Sequence, residues 1–271
     1  MLVSLAFAVP AVLVLLAVDS MARRTGNATS AASSPRLVQA ARLVSIFLLA
    51  GAISDGCRVT DDAAASIGWM TLFGFGGLLA IEIAQRLGLQ ALSGLTDAVR
   101  ADNLAAGTTA AAHTVAIGIL VANVAVGTSF MDFGIAAAAF VVGQVTLLLL
   151  VWLFRCLTAY DDRRAILGGN VAAALSHGGL TIALALVIAY ATDGDYEGPW
   201  PAVRDYALAL AEALIVYPLR QFVVQCLILR GKPTLFGGEL DRAIGERGDV
   251  GAGALEGATY LAVALLVRSL A

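Results

Sequence analysis

The sequence predicts an all-α, polytopic membrane helix bundle of about eight transmembrane helices. Three observations predict it. The chain is 59% hydrophobic and only 14% charged, with a mean hydropathy of +0.85, whereas soluble domains are roughly 45–50% apolar and about 25% charged. The apolar residues come in long runs, and about 18 or more in succession is the length a helix needs to cross the hydrocarbon core. Finally, all of the 17 basic residues except Arg58, Arg204 and Arg268 fall in one alternating set of loops.

The spans lie near 2–19, 38–54, 66–86, 104–128, 133–157, 171–191, 204–228 and 250–270. The first has no basic residue ahead of its apolar run, and Arg23 and Arg24 follow it. A secretory signal shows the opposite order, so this segment reads as a membrane helix. The second span opens on Arg36, Gln39 and Arg42 and is the least apolar. The third carries Glu82 near its inner end, with Arg86 at i+4 as its partner. The fifth carries Gln144 and the seventh Glu212, near mid-span. Pro218, Arg220 and Gln221 interrupt the seventh, where a kink is expected. By the positive-inside rule the basic loops are cytoplasmic. Both termini then lie outside.

The even-numbered spans share an internal repeat. Asn103-Leu-Ala-Ala-Gly107, Asn170-Val-Ala-Ala-Ala174 and Asp249-Val-Gly-Ala-Gly253 each open a span at its inner end. With the Asn or Asp at position zero, small residues recur at positions four, eight, thirteen and fifteen. A degenerate first copy places Ala32 at zero. The Asn or Asp can accept from free N–H groups of the first turn. Small residues four apart let helices approach closely in lipid. Asn103, Asn170 and Asp249 are therefore helix-start residues first. The unit is an odd span followed by a motif span, so the copies run in one direction. Pseudo-symmetry along the membrane normal follows, as a fourfold ring of motif helices or a twofold pair of bundles. Two four-helix modules, 1–130 and 131–271, would be joined in tandem. Leu95–Arg100, Asp161–Ile166 and Leu240–Ile244 precede the motif spans and read as short amphipathic turns at the interface.

Gly169-Asn-Val-Ala-Ala-Ala-Leu-Ser-His-Gly-Gly179 and Asp249-Val-Gly-Ala-Gly-Ala-Leu-Glu-Gly257 resemble the membrane family called domain of unknown function 350. Members are small four-helix inner-membrane proteins whose second and fourth helices open on Asn-x-Ala-Ala. The resemblance implies a bacterial inner-membrane protein, here two modules fused, with Asp249 in place of the usual Asn. Some members are encoded beside or fused to polyamine and ATP-grasp ligase enzymes. The family carries no established activity and so assigns no catalytic residue.

Several function classes drop out. Lys232 is the only lysine and no basic face with interleaved aromatics occurs, which argues against nucleic acid. Cys57, Cys156 and Cys226 lack metal-ligand spacing. No metalloprotease-type His/Glu pattern or phosphate-binding glycine loop occurs. Ser176 and His177 are adjacent, so their side chains diverge. No enzyme activity, cofactor or metal site is expected. The Asn27-Ala-Thr29 sequon falls on the inner side, out of reach of glycosylation.

Polar residues within the spans are costly and are candidates for function. Position seven of the repeat is Gln39, Ala110, His177 and Glu256. Position ten is Arg42, His113, Leu180 and Thr259. Position seven lies about 10 Å from the helix start at 1.5 Å per residue, which puts these groups toward the inner third of the bilayer. His113, His177, Glu212 and Glu256 would line a cation or small-solute path, making the chain a channel or transporter. Alternatively they form a fixed hydrogen-bond network or flank a lipid pocket. In that case the chain is a non-catalytic membrane anchor or regulatory subunit for a cytosolic partner held at the basic loops. The partners are then the lipid bilayer and that cytosolic protein, and fused modules allow a monomer or a homodimer.

Overall fold

The computed structural model describes residues 10–18, 20, 32–91, 93–192, 198–228, 232 and 237–270. The start of the first span, the loop with Arg23, Arg24 and Asn27, and Arg230 lie outside the described residues. The side chains of Glu212 and Arg220 do as well. Residues 10–18 are helical, and the long helices that follow are α1 Ser33–Gly56 and α2 Ala63–Ala91. A short α3, Leu95–Arg100, leads into α4 Leu104–Val124 and α5 Phe130–Arg155. A short α6, Asp162–Leu167, leads into α7 Val171–Ala191 and α8 Pro199–Gln221. A π-helical turn, Phe222–Ile228, and a short α9, Glu239–Gly245, precede α10 Val250–Leu270. Among the described residues there is no strand.

Six helices are long and apolar enough to cross a membrane: α1, α2 (through Leu89), α4, α5, α7 and α10 (through Val267). The chain is a multi-pass helical membrane protein. The other two expected spans are the one that begins outside the described residues and α8. The latter holds Arg204, Asp205, Glu212 and Arg220. It runs through Pro218 and passes directly into the π-helical turn. Proline lacks the N–H that would bond the carbonyl four residues before it, and the helix changes type four residues after it.

The motif helices make the core. In its most apolar stretch α7 is 78% buried and α4 67%, whereas α5 is 11% buried and turns large aliphatics outward. The arrangement is a row rather than a ring. α1 packs on α4, α4 on α7 and α7 on α10, while α1 and α10 form the two ends. This corrects the expected fourfold ring. The reason is visible in the contacts, where small residues mesh in one register. A Cβ on Gly107 would fall 2.7 Å from the Ser34 Cα, and one on Gly253 the same distance from the Ala172 Cα. Position four of one motif helix therefore sits on position two of the preceding one. Further along, Gly118 abuts Ser45, whose hydroxyl donates to the Thr114 carbonyl at 3.0 Å. Gly178 lies against Ala112, and Gly257 against the Leu175 carbonyl. Each helix uses one face for its predecessor and another for its successor, a pattern that translates instead of closing. The helices α2, α5 and α8 flank this row, and with the end helices α1 and α10 they expose large apolar side chains such as Phe47, Leu79, Val145 and Leu265.

Candidate functional site

The best-defined polar structure lies at the basic end of the bundle, where the short helices meet the motif helices. Each short helix ends in a left-handed residue just before the cap: Asp102 (φ 61°), Gly169 (φ 89°) and Gly248 (φ 61°). The next backbone N–H then folds back to the short helix, as Asn103 to Ala98, Asn170 to Ala165 and Asp249 to Ala243, each at 2.9 Å. This is the glycine-favouring closure of a helix end. The cap side chain then serves the following helix. Asn103, Asn170 and Asp249 accept from Ala106, Ala173 and Ala252 at 3.1, 3.0 and 3.1 Å.

The two asparagines have a second role. The Asn103 amide donates to the Ile166 and Leu167 carbonyls at 3.2 and 3.0 Å. The Asn170 amide donates to the Ile244 carbonyl at 2.8 Å. These carbonyls lie in the last turns of α6 and α9, where helical N–H donors run out. Each asparagine thus ties its own motif helix to the short helix of the next unit. Asp249, in the last motif helix, has only acceptor oxygens and cannot repeat the donation. Asp102 makes a related tie at the other end, accepting from the Ser34 N–H at 2.8 Å.

A buried arginine organises the second half. Arg155, at the end of α5, donates to Asp162 at 2.6 Å, to Ser176 at 3.1 Å and to the Tyr160 hydroxyl at 2.9 Å. Thr158 donates to the same Asp162 carboxylate at 3.2 Å. Arg155 and Asp162 expose only 8% and 10% of their side chains, so the pair is screened from water and charge-balanced within itself. Burial raises the Tyr160 phenol above its ordinary 10.0, and the negative charge of Glu256 adds to this while Arg155 opposes it. Asp241 of α9 accepts from the Ala159 N–H at 2.9 Å, which fastens the third short helix to this loop. On the exposed side of α9, Arg247 and then Arg242 hold Glu239 below the usual carboxylate range.

The first half has its own pair. Arg42 reaches Glu82 at 2.6 Å and Gln85 at 3.0 Å, and Arg86 meets the other Glu82 oxygen at 2.8 Å. Glu82 therefore has the expected i+4 partner and a buried one from α1 as well.

The four path candidates separate. His177 and Glu256, both at position seven, are 7% and 1% exposed. Tyr260 donates to Glu256 at 3.4 Å, and Arg155 and His113 lie within electrostatic reach of His177. His113 points instead toward α2, where Gly88 makes room for its ring: a Cβ there would meet the imidazole Cδ2 at 2.7 Å. Glu212 sits on α8 with its side chain outside the described residues. A pocket of about 440 Å³ lies between α2, α4 and α5, and none of His113, His177 and Glu256 is among the described residues that line it. Among the described residues, no three His, Cys, Asp or Glu side chains stand close enough to hold a metal.

Sequence reasoning missed Arg155, Tyr160 and Asp162, and set Ser176 aside. Arg155 was counted with the basic loops, yet it falls inside the fifth apolar run, and that position was the available signal.

The family model described as Domain of Unknown Function (DUF350) matches residues 128–271, more than half of the chain. The chain belongs to this family. No curated protein and no solved structure matches it.

Proposed function

We propose that the chain is a non-catalytic scaffold of the inner membrane that holds a row of short helices as a docking platform for a cytosolic protein. The observation that carries this reading is the stapling of α6 and α9 by Asn103 and Asn170. Short helices at a lipid surface are marginal by themselves. Here their ends are fixed by side-chain bonds to the most buried helices of the molecule. Arg155 and Asp241 add further ties between the same elements. The buried arginines at this depth are paired across helix interfaces, Arg42 with Glu82 and Arg155 with Asp162, as a rigid platform requires, whereas His113 Nε2 and His177 Nδ1 have no hydrogen-bond partner among the described residues. Exposed Arg163, Arg164 and Arg242 would supply the partner contacts.

The competing reading is a cation or small-solute path through His113, His177, Glu212 and Glu256. Purified protein in proteoliposomes separates the two. The scaffold reading expects cation and polyamine flux at the protein-free level. Flux above that level, lost in a folded Glu212→Gln/Glu256→Gln variant, would establish a transport path and end the scaffold reading. A cytosolic partner cross-linked in cells should be lost on Arg163→Glu/Arg164→Glu.

A further inference from the structure

We propose that the pocket between α2, α4 and α5 is a binding site for a neutral membrane-borne lipophile of the quinone class, one with a hydrogen-bonding carbonyl or hydroxyl on an apolar chain. The inference is independent of the scaffold reading. The pocket, about 440 Å³, is within the size range of small-molecule sites. Its floor is made by the buried Gly77, Ala84 and Val121 with the half-buried Ala80 beside them, and its rim by exposed Leu79, Ile83 and Val141. The rim side chains belong to lipid-facing helices, so a ligand would enter sideways from the bilayer.

Among the described residues that line the pocket, Gln144 is the only one with a polar side chain. It is 9% exposed, and neither its amide nitrogen nor its oxygen has a hydrogen-bond partner among the described residues. An unsatisfied amide in apolar surroundings is costly. It stands on α5 between the exposed, lipid-facing Val142 and Val145 and beside the buried Gly143 and Leu147. A small rotation of this flexible side chain presents a donor and an acceptor to the pocket. Gln144 lies near the middle of α5, hence near the middle of the bilayer. Phospholipid esters sit at the interface, and their acyl chains offer no polar group at this depth. The chemistry that matches is an apolar body carrying a polar head able to reside deep in the membrane.

The test is equilibrium binding of radiolabelled decylubiquinone to the full chain in phospholipid nanodiscs, against empty nanodiscs, with decylbenzene as competitor. We expect one saturable site, weakly contested by decylbenzene. Gln144→Leu should weaken binding by about five- to tenfold, the scale of one hydrogen bond, and make the two compounds compete equally. Ala80→Trp should abolish binding by filling the floor. Val141→Trp, a change at the exposed rim that leaves the core untouched, should weaken it if Ala80→Trp fails to fold. No saturable binding above empty nanodiscs would overturn the proposal. So would wild-type affinity in a folded Gln144→Leu protein, or a change there in oligomeric state alone.

Discussion

At the residue scale, the two asparagines and the arginine do work that a generic cap or a surface charge would not. Asn170 both caps α7 and donates to α9. Asn170→Asp keeps the acceptor and loses the donor, so it should cost roughly 1–2 kcal/mol through the orphaned Ile244 carbonyl. Asp249→Asn should be nearly neutral, because the acceptor toward the Ala252 N–H is kept and Asp249 makes no donation to lose. Denaturation of the two variants in detergent checks this contrast, and equal effects would refute the donor role. Arg155→Leu leaves Asp162 buried without its counter-charge and should cost about 3–5 kcal/mol. Adding Asp162→Leu should recover much of that loss. Tyr160 gives a pH prediction. Its folded-state pKa is raised above 10.0 mainly by burial. Its contribution is complete below the unfolded value and is lost as pH rises through the folded one. Stability should therefore fall above pH 10.0, and Tyr160→Phe should flatten that fall. An identical alkaline profile in the variant would show that Tyr160 does not control it.

At the element scale, helix contacts depend on glycines placed where another chain passes. Gly88 on α2 is shaped to the His113 ring of α4. Gly88→Ala should destabilise by about 1–3 kcal/mol as the ring is displaced. His113→Ala should relieve most of this in the double variant, since the clash is between those two groups. Additive losses in a double-mutant cycle would place the strain elsewhere. Much of this scale was legible in advance. α7 and α10 begin at the expected residues, because the Asn or Asp marks the start without ambiguity. The short helices were visible as recurrent charged turns before each cap. Two things were not legible. The small-residue pattern shows that helices meet but not whether the series closes, because ring and row use the same residue types. The polar pattern showed that His113 and His177 are intramembrane but not that they face different neighbours. That depends on where α2 lies beside α4, and the only sign of it was Gly88, one glycine among 28.

At the scale of the whole molecule, the row has a natural seam. The loop 125–129 joins α4 to α5, and the family match begins at Thr128 inside it. Across the seam, α4 packs along α7 and Asn103 reaches the end of α6. Both are the same kinds of contact that bind α7 to α10 within the second half. If 1–130 and 131–271 are modules, cutting the chain here removes one covalent link and no packing. Two co-expressed fragments should insert and copurify as a pair. Asn103→Ala should weaken their association without affecting insertion of either. Gly178→Leu should prevent association outright, since Gly178 lies where α4 and α7 are closest packed at Ala112. A second fragment that fails to insert alone would refute the two-module reading. Fragments that insert but never pair would show that the seam depends on the covalent loop. Efficient pairing would instead locate the specificity of assembly in the asparagine staple and the small-residue register, the same two devices that order the helices within each half.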